Sequence, residues 1–121
     1  MKKAVRLTRS TDFKRVRRYG KSYAHPLLVL IVNQDEALQM MRLGVTAGRS
    51  VGRAVERNRA KRRIRAAADQ IVKSLQPGWE VVIVARKPIL EASFEDIQAA
   101  LNQVMKRARL FVEVEGQLER G

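Results

Sequence analysis

The stretch RSVGRAVERNRAKRRIR, Arg49 to Arg65, holds eight Lys or Arg in seventeen residues: Arg49, Arg53, Arg57, Arg59, Lys61, Arg62, Arg63 and Arg65. One acid, Glu56, sits among them. Guanidinium groups at this density suit bidentate hydrogen bonding to phosphate and stacking on bases. If the stretch is helical, Ile64, Ala67, Ala68, Ile71 and Leu75 cluster on one arc at about 100° per residue. Extending that arc toward the N-terminus reaches Ala60, then Arg57, then Arg53. The inward stripe therefore turns charged in its first two turns, which must project past a sheet edge or face a cleft, because an arginine is almost never fully buried unpaired. Like charges three and four residues apart repel, and cations near a helix start oppose the macrodipole. A polyanion reverses both effects, and the counterions it releases add a salt-dependent driving force.

Bond-breaking chemistry is sparse by comparison. The one histidine, His25, stands beside Pro26 and reads as a turn residue. Glu95 and Asp96 fall in the first turn of a predicted helix, where acids complement the dipole. Asp35 and Glu36 lie in a polar loop. No carboxylate pair recurs at a spacing that demands a two-metal nuclease site, and neither a P-loop nor a GxGxxG occurs. No cysteine is present, which excludes disulfides, thiolate zinc and a cysteine nucleophile and fits a reducing cytoplasm. The expectation is no catalytic side chain and no metal site in the protein itself.

The elements that would carry the basic stretch can be read from periodicity. Ser10-Thr11-Asp12 offers N-cap chemistry and Gly20 a stop, predicting a helix over Asp12–Tyr19 with Phe13 and Val16 inward. LLVLIV (Leu27–Val32) is β-rich after Pro26. MRLGVTAG (Met41–Gly48) alternates, with Met41, Leu43, Val45 and Ala47 on one face. WEVVIVAR (Trp79–Arg86) follows Pro77-Gly78 and reads as a buried strand. One more short strand fits around Lys21–Ala24. Long helices are predicted over Arg53–Leu75 and Phe94–Phe111, the latter opened by a Ser93/Asp96 capping box. The order α-β-β-(β)-α-β-α gives an α+β fold, an α/β sandwich around a central three- to four-stranded sheet.

The 121 residues suit a single domain, with the termini, about 1–6 and 113–121, expected to be flexible. The formal charge of +13 is unevenly spread. Residues 1–65 hold 18 Lys/Arg and 4 Asp/Glu, or +14, whereas residues 66–121 hold 7 and 8, or −1. Solubility alone needs no such asymmetry; a face for a polyanion does. The longest apolar run, PLLVLIV (Pro26–Val32), is too short to span a bilayer. The basic segments also lack Trp or Phe on an opposing apolar face, as a membrane-surface helix would carry.

RLGVTAGRSVGRAVERNRAKRRIR closely resembles the signature of the bacterial ribonuclease P protein component. The matching residues are Arg42 to Arg49, Gly52, Ala54-Val55, Arg57-Asn58-Arg59, Lys61-Arg62 and Arg65. RLTRSTDFKRV followed by GKS resembles the family's opening helix, IVARKP (Ile83–Pro88) its last strand, and SFEDIQAAL its final helix. The likeness spans roughly Arg6 to Arg109.

The resemblance implies a ribosomal-protein-S5-domain-2-like fold with a left-handed βαβ crossover, against the usual handedness rule. It implies a cytoplasmic subunit of an RNA enzyme that removes the 5′ leader from precursor tRNA, with Mg²⁺ held mainly by the RNA subunit, which performs the hydrolysis. Ribonuclease P RNA and precursor tRNA are the partners implied; membrane and DNA are not. Arg49, Arg53, Arg57, Asn58, Arg59, Lys61, Arg62 and Arg65 would face the catalytic RNA. Phe13, with Arg17, Lys21, Arg86 and Lys87, would line a cleft for the single-stranded leader, where stacking and cations act together. Many relatives carry further aromatics where this chain has Arg17 and Ile31. Arg53 and Ala66 replace a frequent Asn and a frequent acid. Two other readings compete: a structural RNA-binding protein of ribosomal type, and a DNA-binding architectural protein. The Arg-Asn-Arg context favours the first-named family over both.

Overall fold

Leu28, Leu30 and Val32 alternate with Val29 and Ile31 along one strand, and both sets find apolar cover, so the sheet must be packed on its two faces. The computed structural model describes residues 4–112. Its strands are β1 (Ala4–Arg6), β2 (Lys21–Ala24), β3 (Leu28–Gln34), β4 (Met41–Thr46) and β5 (Trp79–Ala85). Its helices are α1 (Ser10–Tyr19), α2 (Ala54–Ile71) and α3 (Phe94–Arg107), with single 3-10 turns at Val72–Ser74 and Lys87–Glu91. The sheet order is β1-β4-β5-β3-β2. β1–β4 and β4–β5 are parallel, while β5–β3 and β3–β2 are antiparallel.

The α+β class stands, but the sheet has five strands rather than three or four. β1 falls in the segment expected to be flexible. It pairs with β4 from Ala4 opposite Met41 to Arg6 opposite Leu43, and the Leu7 amide continues the ladder to the Leu43 carbonyl. Three residues give no periodic signal, and their partner lies far along the chain, so nothing local announces the strand. Residues 113–121 lie outside the described residues, as do 1–3.

One face of the sheet carries the larger core. Leu28, Leu30, Val32, Leu43, Val81 and Ile83 meet Ala60, Ile64, Ala67 and Ala68 of α2 and Ile97, Leu101, Val104 and Met105 of α3. The predicted stripe of α2 is thus the buried one, with Val72 and Leu75 continuing it beyond a tightened last turn. α3 ends at Arg107, four residues before the predicted Phe111. Arg109 takes φ 58°, and the Leu110 amide reaches back to the Met105 carbonyl at 3.1 Å, the left-handed termination usually given to glycine. At its start, Ser93 Oγ accepts from the Asp96 amide at 3.0 Å and Asp96 Oδ2 from the Ser93 amide at 3.2 Å, as the capping box predicts.

The other face carries α1 on a smaller cluster of Leu7, Val16, Ile31 and Val82, bordered by Phe13, Val29 and Val84. Two features hold the helix down. The Phe13 ring lies on Gly44 of β4, where an added Cβ would come within 2.7 Å of Phe13 Cζ. Beside it runs an ionic lattice. Glu80, only 2 % exposed, accepts from Arg15 Nε at 3.1 Å, Arg42 Nη1 at 3.2 Å and Asn33 Nδ2 at 3.3 Å. Asp12 meets Arg15 at 2.9 Å and Arg42 at 3.2 Å. Two carboxylates and two guanidinium groups cancel, so each buried charge is paired and hydrogen-bonded, which its desolvation requires. The hydrogen bond from Arg15, aided by the Arg42 charge, holds the Asp12 carboxyl below its ordinary value of 3.8.

Two outcomes follow. Gly44→Ala forces Phe13 off its seat and destabilises the fold by about 1–3 kcal/mol, the usual cost of overpacking, readable in urea unfolding. Because the Asp12 pKa is depressed by folding, its contribution is complete above the unfolded value near 3.8 and is lost as pH falls through the lower folded value. Asp12→Asn therefore lowers the melting temperature at pH 7, and the gap to the parent protein narrows in melting curves taken below pH 4.

Candidate nucleic-acid interface

The basic helix starts from a short constrained turn. Gly52 adopts φ 153°, and a Cβ there would stand 2.6 Å from Glu56 Oε1, so glycine is required on both grounds. Glu56 Oε1 accepts from the Arg53 amide at 2.9 Å, tying off one free donor of the first turn. The Arg57 guanidinium folds back and donates from Nη1 to the Gly52 carbonyl at 3.0 Å. The lone acid of the basic stretch thus shapes the helix start. Arg57, assigned from resemblance to the RNA-facing set, also braces that turn.

From here the cations divide three ways. Arg63 points inward along the protein, donating to the Ile89 and Ala92 carbonyls and so fastening α2 to the 3-10 turn that leads into α3. Arg49, Arg53, Asn58, Arg59 and Arg62 are exposed, and among the described residues only Arg53 of these has an acidic neighbour, Glu56 at 3.9 Å. Val55, also exposed at 78 %, lies among them. Lys61 and Arg65 are half-buried and turn toward α1.

Between α1 and the start of α2 runs an open groove of about 510 Å³. Phe13, Lys14 and Arg17 line it from α1, Arg6 to Thr8 from β1 and its exit, Val45 and Thr46 from β4, and Lys61 and Arg65 from α2. Phe13 therefore does both things considered for it: it packs on Gly44 and presents its ring to the groove. Arg65 is crowded there. Burial first, and the neighbouring Arg6 charge second, push its pKa down from the arginine norm. A cation whose surroundings disfavour its charge gains most from an arriving anion.

Three residues expected in this cleft do not line it. Lys21 stands opposite Val32 across the β2–β3 ladder. Directly opposed residues share a face, and Val32 belongs to the core under α2 and α3, so the pleat sends Lys21 to the side away from α1. Arg86 continues the extended backbone beyond β5 (φ −114°, ψ 153°), which puts it on the α1 face. It lies past the groove, donating from Nη1 to the His25 carbonyl at 3.2 Å. Lys87 opens the following 3-10 turn and is exposed. The groove takes its charge instead from α2 and from two residues the sequence reading left out of it, Arg6 and Lys14. Lys14 was legible as the cation beside Phe13, whereas Arg6 depended on recognising β1. Ile31, at 8 % exposure, lies in the floor under α1.

Among the described residues, no three His, Asp or Glu side chains cluster in a way that could hold a metal ion. The two buried acids, Asp12 and Glu80, are committed to arginines. No helix among these residues is long and apolar enough to cross a membrane.

Comparison with known proteins agrees with this geometry. The family model described as Ribonuclease P matches residues 1–109. The ribonuclease P protein component of Herpetosiphon aurantiacus is 39% identical over 111 residues, covering 92% of this chain and 89% of its own. That of Shouchella clausii is 36% identical over 116 residues, covering 96% and 95%. Among solved structures, a ribonuclease P protein of Staphylococcus aureus superposes with a TM-score of 0.80 at 29% identity, covering 91% of this chain and 100% of that one. Taken with the Arg-Asn-Arg helix and the cationic groove beside it, these matches place the chain in the ribonuclease P protein family.

Proposed function

We propose that this protein component works as a cationic clamp on two RNAs. The exposed side of α2, with Arg49, Arg53, Asn58, Arg59 and Arg62, engages the catalytic RNA. The groove holds the single-stranded 5′ leader of precursor tRNA. The observation that carries this reading is the groove's construction: a fixed aromatic ring on a glycine floor, walled by cations from two helices. Phe13 offers a face on which an unpaired base can stack, and Arg17, Lys61 and Arg65 are spaced around it for the phosphates. The same helix supplies Lys61 and Arg65 to the groove and Arg59 and Arg62 to the outside, so substrate and catalytic RNA would be held by adjoining faces of one rigid rod.

On this reading the protein supplies no nucleophile, acid or base to the cleavage. The RNA subunit performs an endonucleolytic hydrolysis with Mg²⁺, which it holds itself for the most part; the ion supplies charge neutralisation and an activated water. The protein's part is to neutralise phosphates that would otherwise repel at the junction of two polyanions. It also fixes the leader's path. The absence of cysteine fits work in a reducing cytoplasm. A ribosomal type of structural RNA-binding role is the other reading, and the family match favours the ribonuclease P subunit over it.

Added to its cognate catalytic RNA at low Mg²⁺, the chain should restore cleavage of precursor tRNA at the mature 5′ end. Unchanged cleavage in gel assays refutes the reading. Arg59→Ala should weaken binding to that RNA and reduce the slope of log affinity against log salt by roughly 0.7–0.9, the worth of one phosphate contact. Its thermal melting should match the parent's, since the Arg59 side chain is exposed and makes no ion pair among the described residues.

A further inference from the structure

Three cation–π pairs occur among the described residues, and none of them is in the groove. Arg18 lies over Tyr19 at 5.5 Å, Lys21 Nζ over Tyr23 at 5.5 Å, and Arg107 over Tyr23 at 5.7 Å. All three sit at the β2 edge of the sheet. β4, beside α2, is three strands away from β2, or about 14 Å at the usual strand spacing.

The arrangement at Tyr23 is built rather than incidental. Tyr23 is half-buried against the core beneath α3, which fixes its ring. Lys21, two residues earlier on the same strand, shares its face. Arg107, the last residue of α3, is pinned a second time by donating from Nη1 to the Ala24 carbonyl at 2.7 Å. Two cations from different elements thus converge on one ring. Among the described residues neither has a carboxylate within ion-pair distance. The ring's negative face offsets part of their repulsion; an anion beside them would offset more of it. Around the corner of the strand, beyond Gly20, Tyr19 is 68 % exposed with Arg18 against it. A ring that open, flanked by a cation, is suited to an unpaired base and not to a duplex, whose base faces are covered.

We infer that Lys21, Tyr23 and Arg107 form a second phosphodiester-binding station, with Tyr19 as its stacking platform, that takes single-stranded RNA along the β2 edge. This rests on the RNA-clamp reading and extends it to a surface separate from both α2 and the groove. The strand bound there is either an upstream part of the leader or an unpaired segment of the catalytic RNA.

The chain's lack of cysteine allows a direct test. Gln103→Cys, exposed on α3 one turn before Arg107, carries a tethered iron–EDTA cleaver into the complex of protein, catalytic RNA and precursor tRNA. Ala66→Cys, exposed on α2 one turn from Arg62, is the control. Cleavage from position 103 in the labelled precursor assigns the station to the leader; cleavage in the labelled catalytic RNA assigns it there. Silence at 103 while 66 cuts the catalytic RNA overturns this inference and leaves the clamp reading intact. Silence at both removes both. As an independent measure, Lys21→Gln combined with Arg107→Gln should lower the salt slope for the strand so identified by about 1.4, at ~0.7 for each single-strand phosphate contact. Tyr19→Ala should weaken its binding about fivefold or more. An unaltered slope and affinity in variants that melt like the parent overturn the proposal.

Discussion

Like charges crowded at the start of α2 repel one another, and this constraint organises the structure around them. The protein manages the repulsion by sorting the cations instead of removing them. Glu56 closes the first turn, Arg57 leans on the Gly52 carbonyl, and Arg63 is spent on the carbonyls of Ile89 and Ala92. The remaining arginines stay in water, where each interaction is screened. Lys61 and Arg65 are instead drawn into a groove where screening is weaker and where Arg6 adds to the strain. The groove is therefore a place where an incoming phosphate relieves electrostatic cost.

That concentration needs a neutral support. The lattice of Asp12, Arg15, Arg42 and Glu80 supplies it beneath α1. Because its charges cancel, it anchors the helix without adding to the field above it. Its two acids compensate two cations of the strongly basic half of the chain, so the positive potential is left to the groove and to α2. The Phe13–Gly44 contact adds a steric seat, making the ring a fixed surface rather than a mobile one.

Much of this was legible in the sequence, for reasons that differ from residue to residue. The α2 stripe from Ala60 to Leu75 follows the helical period, and the Ser93/Asp96 box fixes the start of α3. The charge asymmetry and the Arg-Asn-Arg context point to RNA. What was not legible depends on pairings between distant parts of the chain. The face that Lys21 occupies is set by the parity of the β2–β3 register, and a shift of one residue would reverse it. Glu80 reads locally as one acid in an apolar strand; only when α1 crosses β4 and β5 does it acquire Arg15 and Arg42. Arg63 cannot be told from its neighbours until the turn at Lys87–Glu91 is placed beside it. The end of α3 escaped because Arg109 holds a backbone conformation that its residue type does not advertise.

The parallel pairing of β1 with β4 has a consequence for how the molecule comes into being. Residues 4–6 are made more than thirty residues before their partners, Met41 to Leu43, and β4 gains its second neighbour only when β5 follows α2. Contacts of such long sequence separation carry a loop-closure cost that local helical contacts avoid. The wall that brings Arg6 beside Arg65 thus depends on a long-range closure that the helices do not need. Local helical turns form faster than that closure, so the order of assembly separates a general attraction for RNA from the shaped site.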